Sequence, residues 1–119
     1  MSVKFRGMKD AITLNNNSAS ALVAADINKT ATLKDATSKE VAICADGAVI
    51  DGIVSSVDKT GDVVVIETTG MFKCTAAAAV ACPGYAVADG AGGVKTSGSA
   101  TNARVFAYIS ATECWIRLN

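Results

Sequence analysis

The sequence predicts a mainly β protein, a small antiparallel β-barrel or β-sandwich with an extended N-terminal arm. Three observations lead to this fold class. Val and Ile together outnumber Leu by 21 to 4, and 11 Thr add further β-branched side chains, which favour pleated strands. Turn signals recur at short intervals beyond residue 40, and several stretches between them alternate apolar and polar residues. A chain of 119 residues is long enough for one domain with one modest core.

The first 40 residues lack this strand pattern. They contain three adjacent Asn, scattered Ser and Thr, and only isolated large apolar side chains. We therefore expect residues 1–20 to form an extended arm and residues 21–119 to form a single β domain. Within that domain, residues 21–40 are expected to be a loosely structured lead-in rather than a core element.

The middle of the chain is predicted to be a meander of strands. Asp46-Gly47 is a turn that requires positive φ, and it predicts a hairpin between residues 41–45 and the strand that follows, where Gly52 indicates a bulge. Residues 58–61 have the Asp and Gly that a type I turn prefers. They lead into a β-branched strand over residues 62–67, which we expect to continue to Cys74 with a bend at Gly70.

The remaining elements are predicted from turn residues and alternation. Residues 75–81 are rich in Ala but too short for a stable helix, so they indicate a turn or a brief helix that ends at Pro83-Gly84. The Gly-rich residues 89–93 then separate two short strands. Near the C-terminus, residues 104–109 and 114–118 alternate, which places Val105, Ala107 and Ile109 on one face of the first of these strands.

Composition and motifs argue against a catalytic, cofactor-binding or metal-binding site. The chain has no His, so the commonest general base and a principal zinc ligand are absent. No Lys lies in a nucleophile motif, the paired carboxylates fall at predicted turns, and the Gly-rich loop lacks the Lys of a phosphate-binding loop. We therefore predict no enzyme activity, and no catalytic, cofactor or metal site.

The four Cys are expected to be small buried residues within strands, with a disulfide as the alternative. They show no Cys-x-x-Cys spacing, and the absence of a targeting segment favours synthesis in a reducing cytoplasm.

Charge is balanced overall but segregated along the chain. The net charge is zero, which predicts no bulk attraction to nucleic acid or to a membrane. Residues 1–9 nevertheless carry three bases and no acid, whereas residues 46–67 carry five acids and one base. A basic arm and an acidic meander could pair between neighbouring subunits, and ordinary solvated faces are the alternative.

Aromatic side chains are concentrated near the C-terminus. The predicted alternation places three aromatic residues and one arginine on one face of two adjacent strands: Phe106, Tyr108, Trp115 and Arg117. Such a stripe fits a candidate subunit interface, a platform for stacking sugars or bases, or the second layer of a closed core.

Several short motifs follow one another over residues 40–119: Thr68-Thr69-Gly70-Met71-Phe72-Lys73, the Ala-rich bridge 75–81, the run from Pro83-Gly84-Tyr85 to Asp89-Gly90, Gly92-Gly93-Val94-Lys95-Thr96, and the closing Ile116-Arg117-Leu118. Their order resembles that in small tailed-bacteriophage capsid decoration (cement) proteins.

The resemblance implies a structural virion protein that binds the major capsid protein on the outer surface of the expanded head. Such proteins commonly form trimers and contact the capsid through an N-terminal arm; a dimer is the alternative for this chain. The residues expected to form that contact are Val3, Lys4, Phe5, Arg6 and Met8. A second hypothesis is a carbohydrate- or receptor-binding module displayed on the virion, of the head-fibre type.

Overall fold

A computed structural model describes residues 10–34, 37 and 39–119, and these residues are mainly strands in two antiparallel sheets. The first five strands build the N-terminal sheet and the last five build the C-terminal sheet. The strands are β1 (Ala11–Asn15), β2 (Thr30–Leu33), β3 (Val41–Ile43), β4 (Gly52–Val57), β5 (Val63–Glu67), β6 (Gly70–Thr75), β7 (Gly84–Ala88), β8 (Val94–Ser97), β9 (Ala103–Ser110) and β10 (Glu113–Leu118).

The fold is sandwich-like, which confirms the predicted mainly β class and selects the sandwich over a single closed barrel. A short 3-10 turn at Ala24–Asp26 is the one helical element in the described part of the chain. No helix in that part is long and apolar enough to cross a membrane.

The two sheets have the same topology. The N-terminal sheet has the order β1-β5-β4-β2-β3, and the C-terminal sheet has the order β6-β10-β9-β7-β8, which is the same arrangement shifted by five strands. In chain order, the first and third strands of each sheet come together at one isolated parallel bridge. The bridge joins Asn15 to Glu40 in the N-terminal sheet and Ala76 to Val94 in the C-terminal sheet. Each sheet therefore curls around its own inner face.

Ladder registers give the equivalent positions in the two sheets. Ile66 lies opposite Ile12 and Val54, and Ile116 lies opposite Phe72 and Val105. A register shift follows Val54 in β4, and a shift at the matching place separates Trp115 from Ile116 in the β9–β10 ladder. Five pairs of equivalent positions point into the two cores: Leu14 and Cys74, Val41 and Val94, Val54 and Val105, Val64 and Cys114, Ile66 and Ile116.

The cores also differ in extent. The N-terminal sheet buries a small cluster that includes Leu22, from the connection between β1 and β2. The core of the C-terminal sheet extends across the contact between the sheets, because Cys44, Ile50 and Ile53 join it. This shared cluster holds the two sheets together.

The first 40 residues contribute more to the core than expected. The prediction that residues 21–40 lie outside the core is wrong, since Thr30 and Ala31 of β2 are fully buried. Strand β1 also lies within the range predicted as arm, where it pairs with β5. The sequence pattern did not predict these strands, because β1 has only three apolar residues and β2 only two.

The predicted hairpin at Asp46-Gly47 is also wrong. Strands β3 and β4 do not pair with each other, because β2 lies between them. Gly47 does turn with φ of 80°, but its N–H donates to Ala88 O of the other sheet at 2.9 Å. The turn at Asp46-Gly47 therefore contributes a backbone hydrogen bond to the contact between the two sheets.

Two predictions around glycines need correction. The bulge expected at Gly52 follows Val54 instead, and the chain needs glycine at 52 because an added Cβ would lie 2.9 Å from Glu67 O. The strand expected to bend at Gly70 is two strands in two sheets. Gly70, with φ of 121°, lies at the passage from one to the other.

Other local predictions are confirmed. Gly61 N–H donates to Asp58 O at 2.9 Å in the predicted type I turn, and β7 and β8 pair across the Gly-rich loop. Of residues 75–81, Thr75 ends β6, and residues 76–81 form an irregular connection that contains no helix and buries Val80.

Candidate docking surfaces

The expected capsid-contact residues of the arm, Val3, Lys4, Phe5, Arg6 and Met8, lie outside the described residues. The described chain begins at Asp10, which is attached to the connection between β5 and β6. Thr68 N–H donates to Asp10 O at 2.7 Å, and Asp10 N–H donates to Thr69 Oγ1 at 3.2 Å. The arm therefore joins the folded part where the chain passes from one sheet to the other.

The outer side of β9 and β10 in the C-terminal sheet carries Phe106, Trp115 and Arg117, which are called the aromatic face. On β10, Cys114, Ile116 and Leu118 are buried, and the alternate residues Trp115 and Arg117 lie on the outer face, as predicted. On β9, Phe106 and Tyr108 are 42% and 54% exposed. These exposures exclude the alternative that both rings form a second core layer within this chain.

The predicted alternation of β9 fails beyond Val105. The register shift there sets Ala107 opposite Trp115 and Tyr108 opposite Cys114. Ile109, expected on the aliphatic face, is 40% exposed. A bulge adds one residue to a strand and reverses the faces that follow, and the sequence carried no signal for it. The structure thus separates Tyr108 from the face shared by Trp115 and Arg117.

The aromatic face is also basic. Arg104 and Arg117 lie opposite each other in the β9–β10 ladder, and the Arg104 guanidinium carbon is 5.4 Å from the centre of the Phe106 ring. Beside them, Lys73 Nζ and Glu113 Oε2 form an ion pair at 3.1 Å. Arginine next to exposed aromatic rings is typical of protein interfaces.

The N-terminal sheet provides an internal comparison for this face. Its equivalent positions carry different residues: Ser55 corresponds to Phe106, Val65 to Trp115 and Glu67 to Arg117. Because the two sheets share topology and core positions, the fold itself does not require aromatic and basic side chains there. The face is therefore a candidate docking surface.

A groove of about 380 Å³ lies between the outer face of β6 and β10 and the N-terminal sheet. Met71, Lys73 and Trp115 line it from the C-terminal sheet. Ile53 of β4 and Asn28, from the connection before β2, line it from the other side. The sequence did not predict this groove, because it depends on how the two sheets pack.

Acidic side chains of residues 46–67 form ion pairs and hydrogen bonds within the described chain. Asp46 pairs with Lys95 at 2.7 Å, and Asp51 accepts hydrogen bonds from Thr32 Oγ1 and the Leu33 N–H, both at 2.8 Å. The Thr60 hydroxyl donates to Asp58, and this bond holds the pKa of that carboxyl below its usual value.

Burial keeps three of the four thiols protonated at neutral pH. Three of the four Cys are buried as predicted, whereas Cys82 is exposed, and all four are free. Burial raises the pKa of the Cys74 thiol to about 12 and those of Cys44 and Cys114 to about 11. In the described part of the chain, no three Cys, Asp or Glu side chains are arranged to hold a metal ion.

Comparison with known proteins gives a likeness of fold. No protein-family model matches the chain, and no curated protein matches it. Among solved structures, the head fiber gp8.5 N base of bacteriophage phi29 has a similar fold, with a TM-score of 0.65 and 13% sequence identity over 94% of this chain and 95% of that chain.

Proposed function

We propose that this chain is a structural protein of a tailed-bacteriophage head and has no catalytic role. The observation that carries the proposal is the fold, which resembles the head fiber gp8.5 N base of bacteriophage phi29 over nearly the full length of both chains. The motif order over residues 40–119, which resembles capsid decoration proteins, supports the same assignment independently.

In the form we favour, the protein decorates the head from outside. It is made in the bacterial cytoplasm and binds the major capsid protein on the outer surface of the virion, with no nucleic acid or membrane partner. Val3, Lys4, Phe5, Arg6 and Met8 make the capsid contact. Repetition of a modest contact over the shell clamps neighbouring capsomers and strengthens the head against internal pressure.

The aromatic face supplies contacts between copies of the chain. Phe106, Trp115 and Arg117 lie on β9 and β10, where the N-terminal sheet carries smaller or acidic residues. Tyr108, which the β9 bulge places off this face, is a separate exposed aromatic side chain for such contacts. We favour a trimer, with a dimer as the alternative, because decoration proteins of this kind commonly assemble around threefold positions of a shell.

A second candidate function is the head-fibre type, in which this domain attaches to the head and displays a carbohydrate- or receptor-binding activity. The observation that favours it is the neighbour itself, which is described as the N base of a head fiber. Both candidates place the chain on the head, and they differ in whether it recognises anything else.

Co-sedimentation with expanded heads that lack the protein tests the proposal. The full chain should sediment with heads and saturate, and a variant without residues 2–9 should lose most of this binding. The deletion must stop before β1, because residues 11–15 pair with β5. The matched control is Lys59→Ala, which removes an exposed base from the β4–β5 turn and should bind normally.

Glycan binding separates the two candidates. The decoration role predicts head binding without glycan binding. The head-fibre role predicts glycan binding that survives deletion of the arm. If the chain does not bind heads at any concentration, the result contradicts both candidate functions.

A further inference from the structure

Two arginines lie side by side on the outer face of the C-terminal sheet. Arg104 of β9 and Arg117 of β10 are directly opposite each other, and both are exposed. The Asn119 N–H donates to Asn102 O at 3.1 Å in the same ladder. Hydrogen-bonded pairs recur at every second residue, so the two arginines form such a pair, with their Cα atoms about 5.5 Å apart. One partner can therefore contact both guanidinium groups.

No acid in the described part of the chain neutralises this arginine pair. Each ion pair between described residues joins a lysine to an acid, and neither arginine takes part. The residues opposite the pair on the neighbouring strands, Met71 and Tyr85, are uncharged. Like charges directly opposite each other destabilise a sheet, and arginine does not lose its charge to relieve the repulsion. An anionic partner would remove this cost.

The β4–β5 turn carries the opposite charge arrangement. Asp58 and Asp62 are exposed, and the Thr60 hydroxyl lies within hydrogen-bond distance of both carboxylates. The bond to Thr60 holds the pKa of the Asp58 carboxyl below its usual value, so Asp58 is ionised at neutral pH. Among the described residues, no lysine or arginine forms an ion pair with either aspartate. The turn therefore presents two carboxylates that are no more than two hydrogen-bond lengths apart.

The arginine pair and the β4–β5 turn do not meet within one chain. The turn lies before the first residue of β5, whereas Arg117 lies opposite Met71, beyond the last residue of β5. A second copy of the chain, however, offers each site the charge that it lacks. Arginine and carboxylate groups form charge-assisted hydrogen bonds, which are stronger than neutral ones and are often bidentate. The spacing of the two carboxylates matches that of the two arginines.

We propose that the β4–β5 turn of one copy docks onto Arg104 and Arg117 of the next copy. The carboxylates of Asp58 and Asp62 each accept hydrogen bonds from one guanidinium group. Phe106, which lies beside Arg104 and is 42% exposed, packs against the docked turn and excludes water from these ion pairs. The contact thus joins charge compensation to the burial of an aromatic ring.

This contact is head-to-tail, because the turn belongs to the N-terminal sheet and the arginines belong to the C-terminal sheet. A head-to-tail contact uses two different surfaces of each copy and can close into a ring. It therefore favours the trimer, whereas a dimer would use the same surface of both copies. The inference rests on the proposed contact between copies, and it names the surface that the aromatic face binds.

Two double variants of the full chain test the pairing by sedimentation equilibrium without heads. Asp58→Asn with Asp62→Asn removes the charge of the turn but keeps acceptors for Thr60, and Arg104→Gln with Arg117→Gln removes the arginine charges. Each double variant should weaken self-association by at least about tenfold. An equimolar mixture should form a heterodimer, because the turn of the arginine variant meets the arginines of the aspartate variant. Unweakened association of either variant, or a mixture that stays monomeric, overturns the proposal.

Lys59→Gln is the matched control, because it removes the base of the same turn and should leave self-association intact or strengthen it. A loss as large as that of the aspartate variant contradicts attraction by charge. A full chain that stays monomeric at every concentration contradicts both the proposed contact between copies and this pairing, whereas association that neither double variant weakens contradicts the pairing alone. An arginine variant that self-associates normally but no longer sediments with heads assigns the arginines to the capsid and overturns docking of a second copy.

Discussion

Asn16 shows how one buried amide fixes three segments of the N-terminal sheet. Its Nδ2 donates to Leu22 O at 3.0 Å and to Gly61 O at 2.8 Å. Its Oδ1 accepts from the N–H groups of Asn17 and Leu22, both at 2.8 Å. All hydrogen-bonding positions of the amide are used, so the residue joins β1, the following connection and the β4–β5 turn.

Asn16→Asp should destabilise the protein by about 3 kcal/mol at pH 7, because a carboxylate of the same size would face two carbonyl oxygens. Those carbonyls raise the pKa of the new carboxyl in the folded state above its unfolded value. The loss is therefore largest above the folded pKa and becomes smaller as pH falls through it. Urea unfolding at pH 7 and pH 4 measures both effects.

Asn119→Asp is the control, since Asn119 is exposed at the end of β10 and its change should shift the unfolding free energy by less than about 0.5 kcal/mol. A loss at Asn16 that is the same at both pH values would contradict the assigned donor role of Nδ2.

Gly52 and Gly98 form a second matched pair. A Cβ at Gly52 would lie 2.9 Å from Glu67 O and 3.0 Å from Ile66 Cδ1, whereas a Cβ at Gly98 meets nothing within 4 Å. Gly52→Ala should cost about 1–3 kcal/mol of unfolding free energy, and Gly98→Ala should change it by less than about 0.5 kcal/mol. Thermal unfolding of both variants measures the difference, and similar melting temperatures would refute the close approach.

At the scale of strands, sequence patterns predicted the C-terminal sheet better than the N-terminal one. Strand β10 alternates buried and outward residues, and β7 and β8 flank a Gly-rich loop that closes as expected. The hairpin expected at Asp46-Gly47 failed because β2 pairs with both flanking strands. Local turn chemistry was right there, and long-range pairing decided the topology.

The candidate docking surface was only partly predictable for the same reason. Trp115 and Arg117 lie on the outer face of β10 as expected, but the β9 bulge moves Tyr108 out of the stripe. The groove beside β6 depends on the packing of two sheets, which no local pattern encodes.

Phe106→Ser tests the aromatic face, because serine is the residue at the equivalent position of the N-terminal sheet, Ser55. Phe106 is already 42% exposed, so the unfolding free energy of the monomer should change by less than about 1 kcal/mol. Self-association should weaken by at least about tenfold if Phe106 anchors the interface. Sedimentation equilibrium measures it, and an unchanged association constant would exclude this face as the subunit interface.

For the whole molecule, the repeated topology explains why one short chain builds two cores. Three of the five equivalent core pairs carry the same residue, whereas Leu14 and Cys74, and Val64 and Cys114, differ; so few scattered positions do not reveal the repeat in the sequence. Apolar character and side-chain volume decide core positions, so their identities can diverge while the pairing order stays the same. The outer faces then differ most, with aromatic and basic residues on the C-terminal sheet.

Cryo-electron microscopy of heads incubated with the purified protein tests the central claim most directly. The account predicts added density on the outside of the shell, at symmetry-related positions, into which the two-sheet molecule fits with Asp10 toward the capsid. Heads that show no added density at saturating protein, or density confined to the inside of the shell, would contradict it.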